Sequence, residues 1–246
     1  MHNRLTSFII ERHEILFSLQ FGFRRKHSTC HSLISLTNNI ASDIDRGHLA
    51  AGVFIDLSKA FDTLDHQILF SKLEHYGVRG VALQWIRSYL SNRKQCVQIK
   101  DTRSEFYEIK CGVPQGSILG PLLFILYVND LQRALKQATS SLFADDTSIY
   151  FSHSDIKQLE ATLNSELQSL DIWMKSNKLS VNISKSNYLI FHPSQKNLRL
   201  NLTLKYDDQI LVQKQDVKFL GVYLDENLSW KIHINYINKK YQNLLE

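Results

Sequence analysis

Two adjacent aspartates, Asp145 and Asp146, sit between the short apolar, β-prone runs Ser141-Leu142-Phe143-Ala144 and Thr147-Ser148-Ile149-Tyr150. The pattern predicts a tight hairpin with both carboxylates at its tip. Neighbouring carboxylates repel, so at least one pKa should rise unless a cation intervenes, and oxygen ligands of this kind suit Mg²⁺. An isolated Asp-Asp pair is more often a solvated turn. What changes the reading is a third carboxylate, Asp56, at the C-terminal end of the apolar run Ala50-Ala51-Gly52-Val53-Phe54-Ile55. That run reads as a buried strand, and an acid at its end is placed to face a cleft. A second pair, Asp207-Asp208, lies between the polar residues Lys205-Tyr206 and Gln209 and reads as a hairpin turn with its acids in solvent.

Other residues are of types that could serve such a centre. Phe61 lies five residues past Asp56, in Leu57-Ser58-Lys59-Ala60-Phe61-Asp62, where the chain should have turned back towards the same cleft. An aromatic there could sit under the sugar of a nucleotide and clash with a 2′-hydroxyl; a plain core phenylalanine has the same signature. Gln20-Phe21-Gly22-Phe23-Arg24-Arg25-Lys26-His27-Ser28-Thr29 sets two aromatics beside a basic triplet. That suits base stacking and phosphate contact, with a solvated basic loop as the alternative. Gly112-Val113-Pro114-Gln115-Gly116-Ser117 carries glycines that let backbone approach a ligand closely, or make an ordinary strand-to-helix turn.

The elements that must position these residues follow from apolar periodicity and punctuation. The first 19 residues read as a helix, and Ser28 or Thr29 caps a second one that buries Leu33, Leu36, Ile40 and Ile44 and stops at Gly47. A helix is expected from Asp65 to Tyr76, with Ile68, Leu69, Leu73 and Tyr76 inward and stopped by Gly77, and another carrying Val81, Leu83, Trp85, Ile86, Tyr89 and Leu90. Gln95–Ile99 and Phe106–Cys111 read as paired strands, and Pro121 opens an apolar helix from Leu122 to Leu135. Leu159, Leu163, Leu167 and Leu170 mark a long amphipathic helix beginning at Ser154 or Asp155. Beyond it come a loop from Leu179 to Ser186, strands at Asn187–Phe191 and Arg199–Lys205, and one strand from Val217 to Leu224. The last has Gly221 inside it, often a mark of close backbone approach. A basic amphipathic helix begins near Ser229.

The 246 residues, 43% apolar and 22% charged, have ordinary globular composition and suffice for one large domain or two small ones. A net charge of +5 fits a nucleic-acid partner without requiring one. Cys30, Cys96 and Cys111 have neither disulfide-framework nor zinc-ligand spacing, which points to a reducing compartment. The longest apolar stretch, Ile118 to Val128, is too short to span a bilayer and is interrupted by Pro121. With no signal-peptide pattern, the expected location is intracellular, nuclear or cytoplasmic or both.

Taken in order, these pieces resemble the reverse transcriptase domain of non-LTR (LINE-like, jockey-like) retrotransposons. Four blocks carry the resemblance: Phe54-Ile55-Asp56-Leu57-Ser58-Lys59-Ala60-Phe61-Asp62, Gly112-Val113-Pro114-Gln115-Gly116-Ser117, Phe143-Ala144-Asp145-Asp146 and Phe219-Leu220-Gly221. Gln20-Phe21-Gly22-Phe23-Arg24 is similar to the family's fingers segment. The resemblance implies an α+β, right-hand polymerase whose ferredoxin-like palm is an antiparallel sheet with helices on one face. Residues 1–49 would be partial fingers, 50–225 the palm with a fingers-side insertion near 77–110, and 226–246 the start of a thumb.

It further implies RNA-directed DNA synthesis from deoxynucleoside triphosphates (dNTPs), on an RNA template, from a DNA primer or target, with no membrane partner. Asp56, Asp145 and Asp146, with the carbonyl of Leu57, would hold two Mg²⁺ ions, or Mn²⁺ in their place. Lys185 would protonate the leaving pyrophosphate. Phe61 would be the steric gate, Gln115 and Gly116 would position template and nucleotide, and Phe219, Leu220 and Gly221 would grip the primer. Arg24, Arg25 and Lys26 supply basic contacts to nucleic acid.

The chain departs from the family in showing no basic fingers block ahead of Gln20, one helical start for a thumb, and no endonuclease or cysteine-rich segment. It reads as an N- and C-terminally truncated piece of a polyprotein. The alternative function is therefore a remnant that binds nucleic acid without polymerising. An RNA-dependent RNA polymerase or intron maturase is a third reading, disfavoured by Phe61.

Overall fold

The computed structural model describes residues 2–12, 15–193 and 200–242. Its helices are α1 (His2–Thr6), α2 (Thr29–Asp45), α3 (His66–His75), α4 (Gly80–Leu90), α5 (Gly120–Val128), α6 (Ile156–Ser176) and α7 (Lys231–Gln242). The strands in the first half are β1 (Leu49–Ile55), β2 (Lys94–Gln95), β3 (Gln98–Ile99), β4 (Thr102–Arg103) and β5 (Tyr107–Glu108). They are followed by β6 (Thr139–Phe143), β7 (Asp146–His153), β8 (Asn187–Phe191), β9 (Lys205–Tyr206) and β10 (Gln209–Ile210). The last three are β11 (Val212–Gln213), β12 (Asp216–Phe219) and β13 (Val222–Asp225). The chain forms two compact units, one from residues 1–18, 58–130 and 174–180, the other from 19–57, 131–173 and 181–246.

The second unit is built on a five-stranded sheet of order β11-β8-β1-β7-β6. All its pairings are antiparallel except β11 with β8. Central β1 (Leu-Ala-Ala-Gly-Val-Phe-Ile) is buried at every position after Leu49, which is why it reads as a continuous apolar run and not as an alternation. Leu36 and Ile40 of α2 pack with Ala50, Phe54, Leu189 and Phe191 of the sheet and with Val217, Phe219 and Leu224 of the β12–β13 hairpin. Ser28 caps α2, and its N–H donates to His31 Nδ1. The buried Asp43 of α2 accepts from the Tyr150 hydroxyl of β7 and from Arg46. Burial would raise the Asp43 pKa, but hydrogen bonds from Tyr150, Ser152 and Arg46 outweigh it, leaving the carboxyl below its ordinary value. On α6 the predicted leucines 159, 163, 167 and 170 are all fully buried, and so is Met174.

In the first unit, Asp65 is the N-cap of α3, accepting from the N–H groups of Gln67 and Ile68, and Gly77 ends the segment with a φ of 88°. Leu69, Phe70 and Leu73 form its buried face. The α5 helix is buried over almost its whole length, and Lys72 donates to the Tyr127 carbonyl and pairs with Asp130. The predicted strand pair between α4 and α5 is present as an arm of two short ladders, β2 with β5 and β3 with β4.

Four expectations need correction. The first helix stops at Arg12, past a wider-wound turn, and Ile15–Leu19 is not helical. His13 and Glu14, inside the predicted helix, lie outside the described residues, as do Arg199 and the last four residues of the segment 226–246. The helix expected from Leu122 to Leu135 ends at Val128, and a separate short turn of helix covers Leu131–Ala134. The alternation of Leu200, Leu202 and Leu204 buries the latter two, but only Lys205–Tyr206 enters a ladder. Finally, Val217–Leu224 is no single strand. Leu220 and Gly221, with φ of 48° and 87°, form a two-residue turn between β12 and β13, so the glycine serves a left-handed backbone and no atom crowds it. The Asp207-Asp208 turn is as expected: both residues are left-handed, exposed, and join β9 to β10.

The leucine face of α6 gives a direct check on the core. Leu163→Ala should lower unfolding free energy by about 2–5 kcal/mol, whereas Ile172→Ala, at a position 61% exposed, should change it by no more than about 0.5 kcal/mol. Urea denaturation followed by circular dichroism measures both.

Candidate active site

The sheet brings the three predicted carboxylates to one end of the second unit. Strands β6 and β7 pair from Thr139 with Tyr150 to Phe143 with Asp146, leaving Ala144 and Asp145 as a two-residue turn. On the other side of β7, β1 pairs up to Ile55 with Thr147. One step further along that register, Asp56 comes opposite Asp146. The Asp146 pKa is raised, first by partial desolvation against the surrounding protein, then by the negative charges of Asp145 and Asp56. The conflict expected from the residue types is thus present in the fold.

The hairpin tip is strained. Ala144 has a φ of 56°, while Asp145 is not left-handed. A turn with positive φ at its first position alone favours glycine there. The frame that holds this conformation comes from the Gln20–Arg24 segment. Gln20 bridges Leu142, with Phe21 N–H donating to the Leu142 carbonyl at 2.8 Å and Leu142 N–H donating to Leu19 at 3.0 Å. This extends the sheet past β6. A Cβ on Gly22 would lie 2.2 Å from the Ala144 nitrogen, so only glycine fits against the tip.

Asp56 is fixed through its backbone. Its N–H donates to Ser186 Oγ at 3.1 Å, and its carbonyl accepts from Asn182 N–H at 2.8 Å. Ser186 is buried, and its hydroxyl donates in turn to the Asn182 carbonyl. The turn so formed carries Lys185, whose Nζ is 4.0 Å from Asp56 Oδ2. Because Lys185 is largely exposed, the pair is worth little to stability and leaves the ammonium in solvent. Leu57 pairs with Val181 between the bond from Asn182 N–H to the Asp56 carbonyl and the bond from Ser58 N–H to the Ser180 carbonyl, so its own carbonyl faces away from Val181. Sequence reasoning found Lys185 but missed Ser186, Asn182 and the packing role of Gly22; only Gly22 had a local signal, its place between two aromatics.

The remaining predicted residues separate. Phe219 is buried and packs on Phe54, with ring centroids 5.0 Å apart, so it anchors the hairpin whose turn is Leu220-Gly221. Arg25 and Lys26 are exposed, but Arg24 is half-buried and donates to the Gln20 carbonyl at 3.1 Å. In the first unit, Phe61 is half-buried and stacks on Phe124, centroids 4.4 Å apart. Gln115 is exposed and donates to Asp62 Oδ1 at 2.8 Å, and Gly116 is left-handed with φ of 73°. Gln115 and Asp62 line an open cleft of about 690 Å³ with Lys59, His66, Arg93 and Lys110.

Among the described residues, no three His, Cys, Asp or Glu side chains close around one point as a finished metal cage. The donor chemistry at Asp56, Asp145 and Asp146 nonetheless fits a hard divalent cation: all-oxygen ligands, excess negative charge, and a carboxyl whose pKa is raised by desolvation and then by the neighbouring charges. No helix among the described residues is long and apolar enough to cross a membrane.

This is the fold of the telomerase reverse transcriptases. The structure matches telomerase of Candida albicans over 100% of this chain and 40% of that one, with a TM-score of 0.58 at 16% identity. It matches telomerase of Candida tropicalis over 79% of this chain and 38% of that one, with a TM-score of 0.56 at 13% identity. The sequence supplies the family. Residues 1–224 match the model of the reverse transcriptase (RNA-dependent DNA polymerase) family, and the chain belongs to it. It is 32% identical to a probable RNA-directed DNA polymerase from transposon BS of Drosophila melanogaster, over 98% of this chain and 27% of that protein. It is 27% identical to the RNA-directed DNA polymerase from mobile element jockey of Drosophila funebris, over 91% of this chain and 25% of that protein. The chain thus spans about a quarter of the length of these curated relatives.

Two outcomes follow from the strained, crowded tip. Because the folded-state pKa of Asp146 is raised, its ionisation costs stability as pH rises through that pKa. Asp146→Asn should therefore raise the melting temperature at pH 7 in cation-free buffer, and the gain should vanish below the ordinary carboxylate value of 3.8. Gly22→Ala should destabilise by about 1–3 kcal/mol, as overpacking against backbone does, read from the urea midpoint.

Proposed function

We propose that this chain is the polymerase core of an RNA-directed DNA polymerase, extending a DNA primer on an RNA template with dNTPs. The observation that carries the proposal is the gathering of Asp56, Asp145 and Asp146 at one sheet end in a member of the reverse transcriptase family. In this reading residues 1–49 are partial fingers, 50–225 the palm with its insertion near 77–110, and 226–246 the beginning of a thumb.

The reaction joins the primer 3′-oxygen to the α-phosphorus of the dNTP and breaks the α–β anhydride bond, releasing pyrophosphate; the 3′-hydroxyl loses its proton. Asp56, Asp145, Asp146 and the Leu57 carbonyl would hold two Mg²⁺ ions, or Mn²⁺ in their place, which supply charge neutralisation and a more acidic 3′-hydroxyl. Lys185, tethered beside Asp56 by the Asn182–Ser186 turn, holds a proton that the departing pyrophosphate can take. Phe61, kept upright by its stack on Phe124, discriminates against the ribose 2′-hydroxyl. Gln115, oriented by Asp62, contacts the template strand beside Gly116. The Leu220-Gly221 turn, anchored by Phe219, supports the primer. Arg25 and Lys26 meet phosphates, with Arg24 bracing the loop from within.

Primer extension on an RNA template tests the reading. The chain with Mg²⁺ and dNTPs should lengthen the primer, and chelating the metal should stop it. Asp145→Asn should lose at least the roughly hundredfold that removing a mere metal-supporting contact costs, with an unchanged circular dichroism spectrum. Extension unaffected by Asp145→Asn would overturn the site assignment. Absence of extension by the wild type, with salt-sensitive RNA binding retained, would assign the chain to nucleic-acid binding without polymerisation.

A further inference from the structure

The segment from Gly77 to Lys110 holds most of the chain's excess charge. It has seven lysines and arginines against three acids, a net of +4 in a protein whose total is +5. It also holds an unusual share of uncovered aromatic and apolar surface. Val97, Ile99, Phe106 and Tyr107 are each more than 60% exposed, all on the β2–β5 arm. Two-residue ladders of this kind are marginal in water without something to pack against.

A second feature specifies the partner. Trp85 and Tyr89, one turn apart on α4, lie parallel, with ring centroids 5.6 Å apart and an interplanar angle of 4°. The Arg93 guanidinium caps Tyr89 at 5.4 Å from its centroid. Trp85 is 42% exposed, so the stack is open to solvent at this residue. At its other end Arg93 lines the cleft that also contains Gln115. A π-face continued by a guanidinium, on a strongly basic segment, is suited to unpaired bases and their phosphates. A folded protein partner would find the apolar arm but no use for the parallel ladder and the local charge.

We propose that the Trp85–Tyr89–Arg93 ladder, carried on this basic segment, forms a second nucleic-acid surface, which binds single-stranded template RNA by stacking and delivers it to the Gln115 cleft. This rests on the reading of the chain as an RNA-directed polymerase, and the test separates the two. A fluorescein-labelled single-stranded RNA should bind with strong salt dependence and quench tryptophan emission. The quench should be largely lost in Trp85→Phe, and a blunt RNA duplex of equal length should not produce it. Trp85→Ala/Tyr89→Ala should weaken single-strand binding about tenfold or more, the loss of at least one stacked base, with an unchanged circular dichroism spectrum. If the wild type binds single-stranded RNA and extends primers while Trp85→Phe quenches as the wild type does, or the double variant binds within about twofold, the second surface is refuted and the polymerase reading stands. If the wild type neither binds nor extends, both fall.

Discussion

The crowding of Asp56, Asp145 and Asp146 is the constraint on which the rest of the second unit depends. Like charges at a sheet end separate unless the backbone forbids it, and here every one is set by a neighbouring ladder. The β1–β7 register fixes Asp56 against Asp146, and the two-residue turn between β6 and β7 fixes Asp145 next to them. Asp146 carries the cost as a raised pKa. The turn carries a further cost, since a non-glycine in the left-handed region is unfavourable by about 1–3 kcal/mol and persists only where the surroundings over-determine it. Ala144 meets that condition: Phe21 and Leu142 lock the neighbouring backbone, and Gly22 sits flush against the tip.

The same logic explains why the acid centre stands on the innermost strand. Every residue of β1 after Leu49 is buried, with β7 on one edge and β8 on the other, so the strand has no freedom to slide or splay. Asp56, the first residue past it, inherits that rigidity. What β1 does not supply, the Asn182–Ser186 turn does: a buried hydroxyl for the Asp56 N–H and an N–H for its carbonyl. Since Lys185 rides on this turn, the element that fixes the acid also sets the distance of the cation. A fixed carboxylate backbone and a solvent-exposed ammonium are compatible because the hydrogen bonds go to backbone and only the exposed side chain spans the gap.

Much of this was legible in the sequence where the physics is local. The apolar flanks of Asp145-Asp146 mark the hairpin, Asp65 and Gly77 bracket α3, and the leucines of α6 fall at helical intervals because one face must be buried. What could not be read depends on neighbours distant in the chain. The place of Gly22 between two aromatics is a weak signal, and what it packs against emerges only when the backbone of Ala144, more than a hundred residues on, is seen beside it. Ser186 looks like a polar strand edge until Asp56 is found above it. The turn at Leu220-Gly221 was hidden for a different reason. Leucine resists a positive φ, so Val217–Leu224 reads as one strand. Burial of Phe219 against Phe54 and of Leu224 in the same core outweighs that preference and folds the segment back on itself. Likewise Leu202 and Leu204 alternate because the core takes them, not because a ladder does.

An acidic centre poses a problem for any enzyme whose substrates are polyanions. Three carboxylates repel phosphate, and screening confines attraction from elsewhere to about 8 Å at physiological ionic strength. A net charge of +5 spread evenly over 246 residues would do little against this. Only local concentration helps, and the chain concentrates: outside residues 77–110 the balance is close to neutral, and inside them it is +4. The aromatic ladder adds what charge cannot, because stacking is not screened by salt and needs unpaired bases. A surface that combined the two would select single strands over duplex and hold them by forces that the acidic centre does not oppose. On the proposed reading, division of labour of this kind would let the carboxylates remain crowded for chemistry while affinity came from residues that take no part in it.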